Sequence, residues 1–134
     1  MNRFIITGLI LTFLVSFTGC ITDDDGGTGG GSPDIVAKFI GTWQVTDSKA
    51  KLNYEVKIER NVLYDTKIVL KNFAGVGGQI SGSVVGNAVV IEQQSTNGYD
   101  IEGTGSYSNN KLLNFTFLLS DGIDEEMRKA EFTR

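Results

Sequence analysis

From Trp43 to Phe132 the chain alternates apolar and polar side chains with period two, in runs separated by a few turn-forming residues. A period of two sends successive side chains to opposite faces of a pleated strand, so each run reads as a strand with one buried face. The clearest run is Leu113, Phe115, Phe117 and Leu119 against Asn114 and Thr116. Tyr54, Val56 and Ile58 alternate with Glu55, Lys57 and Glu59, and a one-residue slip would bury those charges, so the register is set. Trp43 and Val45, Ile68 and Leu70, Ile80 and Val84, and Val89 and Ile91 mark four further strands. Tyr99, Ile101 and Tyr107 mark another, with Gly103 and Gly105 on the same face, and Arg128, Ala130 and Phe132 mark the last.

The links between these runs are short. Gly86-Asn87 suits a tight turn that needs positive φ, Asn109-Asn110 and Asp121-Gly122 are further turns, and Asn72 to Gly78 reads as a bend or loop. None has room for the crossover helix that a parallel pair requires. The expected class is therefore all-β, an eight-stranded antiparallel up-and-down meander closed into a barrel, because closure removes the unpaired edges of an open sheet. A two-sheet sandwich is the alternative. Two glycines on an inward face leave room for a ligand, for Trp43, or for a bulge that turns a barrel corner. Trp43 or the bulge is the expected reason for them.

Ahead of the first strand, Ser32 can cap a helix and Pro33 fits its first position. Ile35, Val36, Phe39 and Ile40 then give one apolar face to a helix of about two turns, ended by Gly41. Asp34, Lys38, Phe39, Gly41 and Trp43 resemble the D-x-x-x-K-F-x-G-x-W signature of lipocalins, and the Gly-Thr-Trp start is also similar to other calycins. The resemblance implies a barrel over residues 34–134 whose short N-terminal helix closes one end while the Trp points into the base. In lipocalins an Arg late in the chain packs across that Trp, and Arg128, the one charge on the inward parity, is expected to do so here through a cation–π contact.

Residues 1–20 have a basic start at Arg3 and an apolar run from Phe4 to Phe17, too short for a membrane span and suited to a secretory signal. Phe17-Thr18-Gly19-Cys20 resembles the lipobox of bacterial lipoproteins, which implies acylation of Cys20 and attachment to a membrane through lipid; Phe17 stands where Leu is usual. Residues 21–33 are rich in Asp and Gly and read as a flexible tether. Asp23, Asp24 and Asp25 resemble the acidic export tag of Bacteroidota surface lipoproteins. Leu70-Lys71-Asn72-Phe73-Ala74-Gly75, Ile91-Glu92-Gln93-Gln94 and Gly103-Thr104-Gly105 are similar to segments of small Bacteroidota lipoproteins with no assigned activity. The location implied is the cell envelope, on the outer membrane, with exposure at the surface as the further expectation.

Chemistry is constrained mainly by what the chain lacks. It has no His, which removes the commonest general base and transition-metal ligand. Asp47, Glu92 and Glu102 have no assignable catalytic partner, and Gly75-Val76-Gly77-Gly78 is not followed by the Gly-Lys-Ser/Thr of a phosphate loop. No catalytic residue, cofactor or metal site is expected, and the acidic turn Asp121, Asp124, Glu125 and Glu126 does not have the spacing of a calcium loop. Of twelve basic and sixteen acidic residues, Arg3 and three Asp precede residue 34, leaving 11 against 13 and no basic stripe for nucleic acid. The expected protein is non-enzymatic and binds a small apolar ligand, in a pocket lined by Trp43, Tyr54, Phe115, Phe117, Phe132 and Arg128, or a protein partner. The alternative is a barrel filled by its own side chains that acts through its loops.

Overall fold

The structure, a computed structural model, describes residues 33–48 and 52–134. The expected leader, Cys20 and all of the tether except Pro33 lie outside the described residues. Eight strands follow in chain order: β1 (Gly41–Asp47), β2 (Leu52–Arg60), β3 (Lys67–Lys71), β4 (Gln79–Val85), β5 (Ala88–Thr96), β6 (Tyr99–Asn109), β7 (Leu112–Ser120) and β8 (Glu125–Thr133). Each pairs antiparallel with its successor, and β1 also pairs with β8, from Gln44 opposite Thr133 to Asp47 opposite Ala130. The sheet is thus a closed meander barrel, and the sandwich is excluded.

The period-two pattern decides what goes inside. Trp43, Val56, Ile68, Leu70, Val89, Ile101, Leu113 and Phe132 are all fully buried, while their sequence neighbours face outward or are only half-buried. Burying a large apolar side chain is worth about 1.5–3 kcal/mol, so a one-residue slip in any strand would forfeit several such terms together. Register breaks in β5, and again near the end of β6, where Tyr107 faces Leu113 and Asn109 faces Leu112. Ile91 faces Gly103 and Gln94 faces Ile101, so one extra residue bulges out between them. The β4–β5 seam is short, and the Gln94 side chain extends it, accepting from Ser81 N–H and donating to Ser81 O, each at 2.8 Å.

One barrel end, the base, gathers the start of β1, the β2–β3 loop, the Gly86-Asn87 turn, the turn after β6 and the chain end. Here the expected two-turn helix is replaced by a single 3₁₀ turn, Ala37–Phe39. Phe39 N–H donates to Val36 O at 2.9 Å and Ile40 N–H to Ala37 O at 3.2 Å, after which Ile40 is already extended. The tighter turn stacks residues i and i+3 on one side, which sends Val36 and Phe39 together into the barrel mouth; continued α-helix would carry Ile40 away from the position that starts β1. Ser32 lies outside the described residues, and Val36, at the start of the turn, makes no side-chain cap.

The other end, the rim, is covered by the segment expected to be a plain loop. Asn72 and Ala74 both sit in the left-handed region, with φ of 62° and 60°. Asn72 holds this conformation through its side chain, which donates to Glu55 O and accepts from Gly77 N–H, each at 2.9 Å. The bend turns Phe73 and Ala74 into the barrel, where both are buried.

Gly103 and Gly105 make room for neither Trp43 nor a ligand. A Cβ on Gly105 would lie 2.3 Å from the Phe115 ring, and one on Gly103 would lie 2.6 Å from Phe117 Cα. The space is taken by β7, directly across the ladder, where Gly105 faces Phe115 and Gly103 faces Phe117. Gly105→Ala should therefore cost about 1–3 kcal/mol in urea unfolding through overpacking. Adding Phe115→Leu should recover part of that loss, and simple additivity of the two changes would contradict the packing described.

Candidate functional site

Of the residues expected to line a pocket, Phe115, Phe117 and Phe132 are brought together by ring contacts. Phe115 and Phe132 lie 4.6 Å apart by ring centroids. Phe73, which the sequence did not single out, reaches down from the rim and stacks 4.7 Å from Phe117, 5.4 Å from Phe115 and 6.1 Å from Phe132. Edge and tilted ring contacts at these distances are favourable arrangements that leave little empty volume. All four rings are at most 1% exposed. Phe73 occupies the place an apolar ligand would take among the other three.

Trp43 is also fully buried, lower in the barrel, and its indole N–H donates to Phe39 O at 2.9 Å. This bond satisfies both a buried donor and a carbonyl at the end of the 3₁₀ turn. The cation over Trp43 is Arg134, the last residue, with its guanidinium carbon 4.0 Å from the ring. Arg134 donates to Ile40 O and Asn110 O at 2.8 Å each and to Lys38 O at 3.3 Å. The expected Trp43–Arg128 pairing is therefore corrected. Arg128 lies in the rim half of β8, whereas Trp43 sits near the base, where the residue after β8 reaches across the β1–β8 seam to the indole.

Arg128 instead belongs to a polar cluster under the rim. Its Nη1 is 3.5 Å from the Asp47 carboxylate and 3.4 Å from Ala74 O, while Nε and Nη2 contact Glu126 at 2.6 and 2.5 Å. Asp47 is fully buried, so Arg128 is not the one inward charge. Asp47 continues the inward parity of Trp43 and Val45, a signal that was present in the sequence. The Tyr54 hydroxyl is buried close to the Asp47 carboxylate. Burial first, and the Asp47 charge second, push its pKa well above the ordinary tyrosine range, with the Arg128 charge opposing. Tyr54 thus stays a neutral phenol, with the Gly75 backbone against its ring.

Hollows large enough for a ligand lie outside the core. One of about 480 Å³ at the rim is lined by Tyr99, Leu119, Asp121, Asp124, Glu125, Glu126 and Arg128. Another, of about 640 Å³, runs over the outer wall past Val90, Thr104, Leu118 and Met127. The acidic turn is an ordinary one: Asp121 accepts from the N–H groups of Asp124 and Ile123 at 2.7 and 2.8 Å, and these bonds hold its carboxyl below the usual range. Among the described residues there is no group of three or more acidic side chains, His or Cys placed to hold a metal.

No protein-family model and no curated protein matches the chain. Two solved structures share its fold. EF1p2_mFAP2b bound to DFHBI is 11% identical, over 75% of this chain and 97% of that one, with a TM-score of 0.53. A redesigned beta barrel is 14% identical, over 75% and 95%, with a TM-score of 0.51. At such identities the likeness is one of architecture, a small closed β-barrel.

Two outcomes test the rim cluster. Arg128→Met removes the guanidinium facing a fully buried carboxylate and should destabilise by about 3–5 kcal/mol in urea unfolding; a loss within about 0.5 kcal/mol would mean the pair is solvated. Because the folded-state pKa of Tyr54 is raised, its stabilising contribution is complete below the unfolded value and is lost as pH climbs above about 10. Stability of Tyr54→Phe should therefore fall less steeply than that of the parent above that pH, with parallel curves near neutrality.

Proposed function

We propose that this protein is a lipid-anchored, non-enzymatic barrel of the bacterial cell envelope, lipocalin-like in architecture, that acts through its rim, loops and outer wall. The observation that carries the mode of action is the filled interior. Phe73, Phe115, Phe117 and Phe132 occupy one another's space, and Trp43 closes the base beneath them. Attachment through Cys20 is supported by the resemblance of Phe17-Thr18-Gly19-Cys20 to a lipobox and by the Gly-rich segment that follows. The Trp43–Arg134 contact supports the lipocalin-like reading, since an Arg late in the chain packs across the Trp there too. The absence of His and of an assignable nucleophile–base pair supports a role without catalysis.

A second reading, capture of a small apolar ligand, is favoured by one feature. Phe73 is held in the barrel by a loop in which Asn72, Ala74, Gly75, Gly77 and Gly78 all have positive φ. For Asn72 and Ala74 that conformation stores about 1–3 kcal/mol each, which swinging Phe73 out would release. A similar barrel holds DFHBI.

Titration with a fluorescent apolar probe such as N-phenyl-1-naphthylamine separates the two. The filled-barrel reading expects no saturable enhancement with the parent protein and a gain of binding in Phe73→Ala, which opens the space. Saturable binding by the parent, competed by fatty acid, would decide for ligand capture. For the anchor, Cys20→Ala should move the protein from the membrane fraction to the soluble envelope fraction while its circular dichroism stays that of a folded barrel; unchanged fractionation would remove the lipid from the account.

A further inference from the structure

The β2–β3 loop carries three consecutive exposed side chains, Val62, Leu63 and Tyr64, that contribute nothing to the core. Val62 is 97% exposed, Leu63 78% and Tyr64 55%. The loop holds a defined shape: Asn61 Oδ1 accepts from the N–H groups of Leu63 and Tyr64 at 2.8 and 3.2 Å, and Asn61 N–H closes onto Lys67 O at 3.1 Å. This bracing presents the side chains outward from the base. A contiguous exposed apolar tip marks an interaction surface, because only a partner can remove it from water.

Two independent observations say what that partner is. The first is where the chain enters. Arg60, the last residue of β2, forms a bidentate ion pair with Asp34, so the first described residues of the domain lie beside the start of this loop. Only twelve residues separate Cys20 from Pro33, and a flexible Gly-rich coil of that length spans roughly 20 Å on average. The second is charge. Lys38, Arg60, Lys67, Lys111 and Arg134 belong to the base, against Asp34, which Arg60 neutralises, and Asp65 in the loop itself, so the cations there remain in excess. Lys38 and Lys67 lie over aromatic rings, at 5.2 Å from Tyr107 and 4.8 Å from Tyr64. Arg134 is held by carbonyls and an indole and keeps its net charge unneutralised by those contacts. The opposite rim carries Asp121, Asp124, Glu125 and Glu126. An apolar tip with an aromatic residue, flanked by cations, is the surface that suits the boundary between acyl chains and anionic headgroups.

We propose that the barrel stands base-down on the bilayer, with Val62, Leu63 and Tyr64 dipping into the lipid interface and the rim turned away from it. This inference rests on the lipid-anchor reading above, and the test keeps the two apart. The chain has one cysteine, so protein beginning at Cys20 can be coupled through it to a maleimide-headgroup lipid, whether or not cells acylate that residue. The vesicles contain phosphatidylglycerol and phosphatidylcholine brominated on its acyl chains, which quenches indoles that enter the bilayer. Leu63→Trp and Ile123→Trp place reporters at the base and at the rim, both on exposed positions, and the parent protein corrects for buried Trp43. Quenching at position 63 should exceed that at position 123 by at least about twofold and weaken when the anionic lipid is left out. Equal quenching at the two positions, or none at 63, overturns the proposal even if Cys20→Ala fractionates as the anchor reading expects.

Discussion

Closure of the sheet depends on bringing the first strand against the last, and the structure secures that seam at Trp43. The indole N–H is bonded to the 3₁₀ turn that precedes β1, and its face is covered by the residue that follows β8. Arg134 in turn donates to the carbonyls of Lys38 and Ile40, just before β1, and to that of Asn110 in the turn after β6. A cation–π contact is worth about 0.5–2 kcal/mol alone. Here it operates with charged hydrogen bonds to three carbonyls, so one side chain joins three segments that the backbone ladder leaves separate. β1 and β8 share only four paired positions, fewer than β1 shares with β2, which is why the seam needs this side-chain support.

Once closed, an eight-stranded barrel must do something with its interior. This one fills it with rings from β7, β8 and the rim loop, and the glycines of β6 exist to let those rings approach the wall. The rim is completed by a buried ion pair under a strained loop. Buried charges specify an arrangement more than they stabilise it, since the attraction between Asp47 and Arg128 must first offset the desolvation of both. That pair lies beneath Ala74, whose carbonyl also faces Arg128, so the loop conformation, the Phe73 plug and the charge cluster depend on each other.

The two ends consequently differ in chemistry as well as in shape. The base is tied together by Trp43, Arg134 and Lys38 and carries an apolar loop; the rim is acidic and roofed by a glycine-rich bend. The outer wall carries a hollow past Val90, Leu118 and Met127 among polar neighbours.

Strand number, order and inward faces were legible in the sequence because they follow from local alternation: a slip by one residue exposes the core, so pattern and register are the same information. The inward position of Asp47 was equally legible from its parity with Trp43 and Val45. The rest was not, for a physical reason that recurs. Phe73 sits in a loop without periodicity, and its role depends on Asn72 and Ala74 adopting positive φ held by Glu55 and Gly77 across space. Which arginine covers Trp43 depends on barrel height, which alternation does not encode; Arg128 has the right parity and the wrong level. The sequence by itself therefore determined an eight-stranded antiparallel meander with an apolar inner face, because local sterics and burial suffice for that. Only the tertiary structure decided how the rings pack in the interior and which arginine covers Trp43, because both depend on side chains that meet from distant strands.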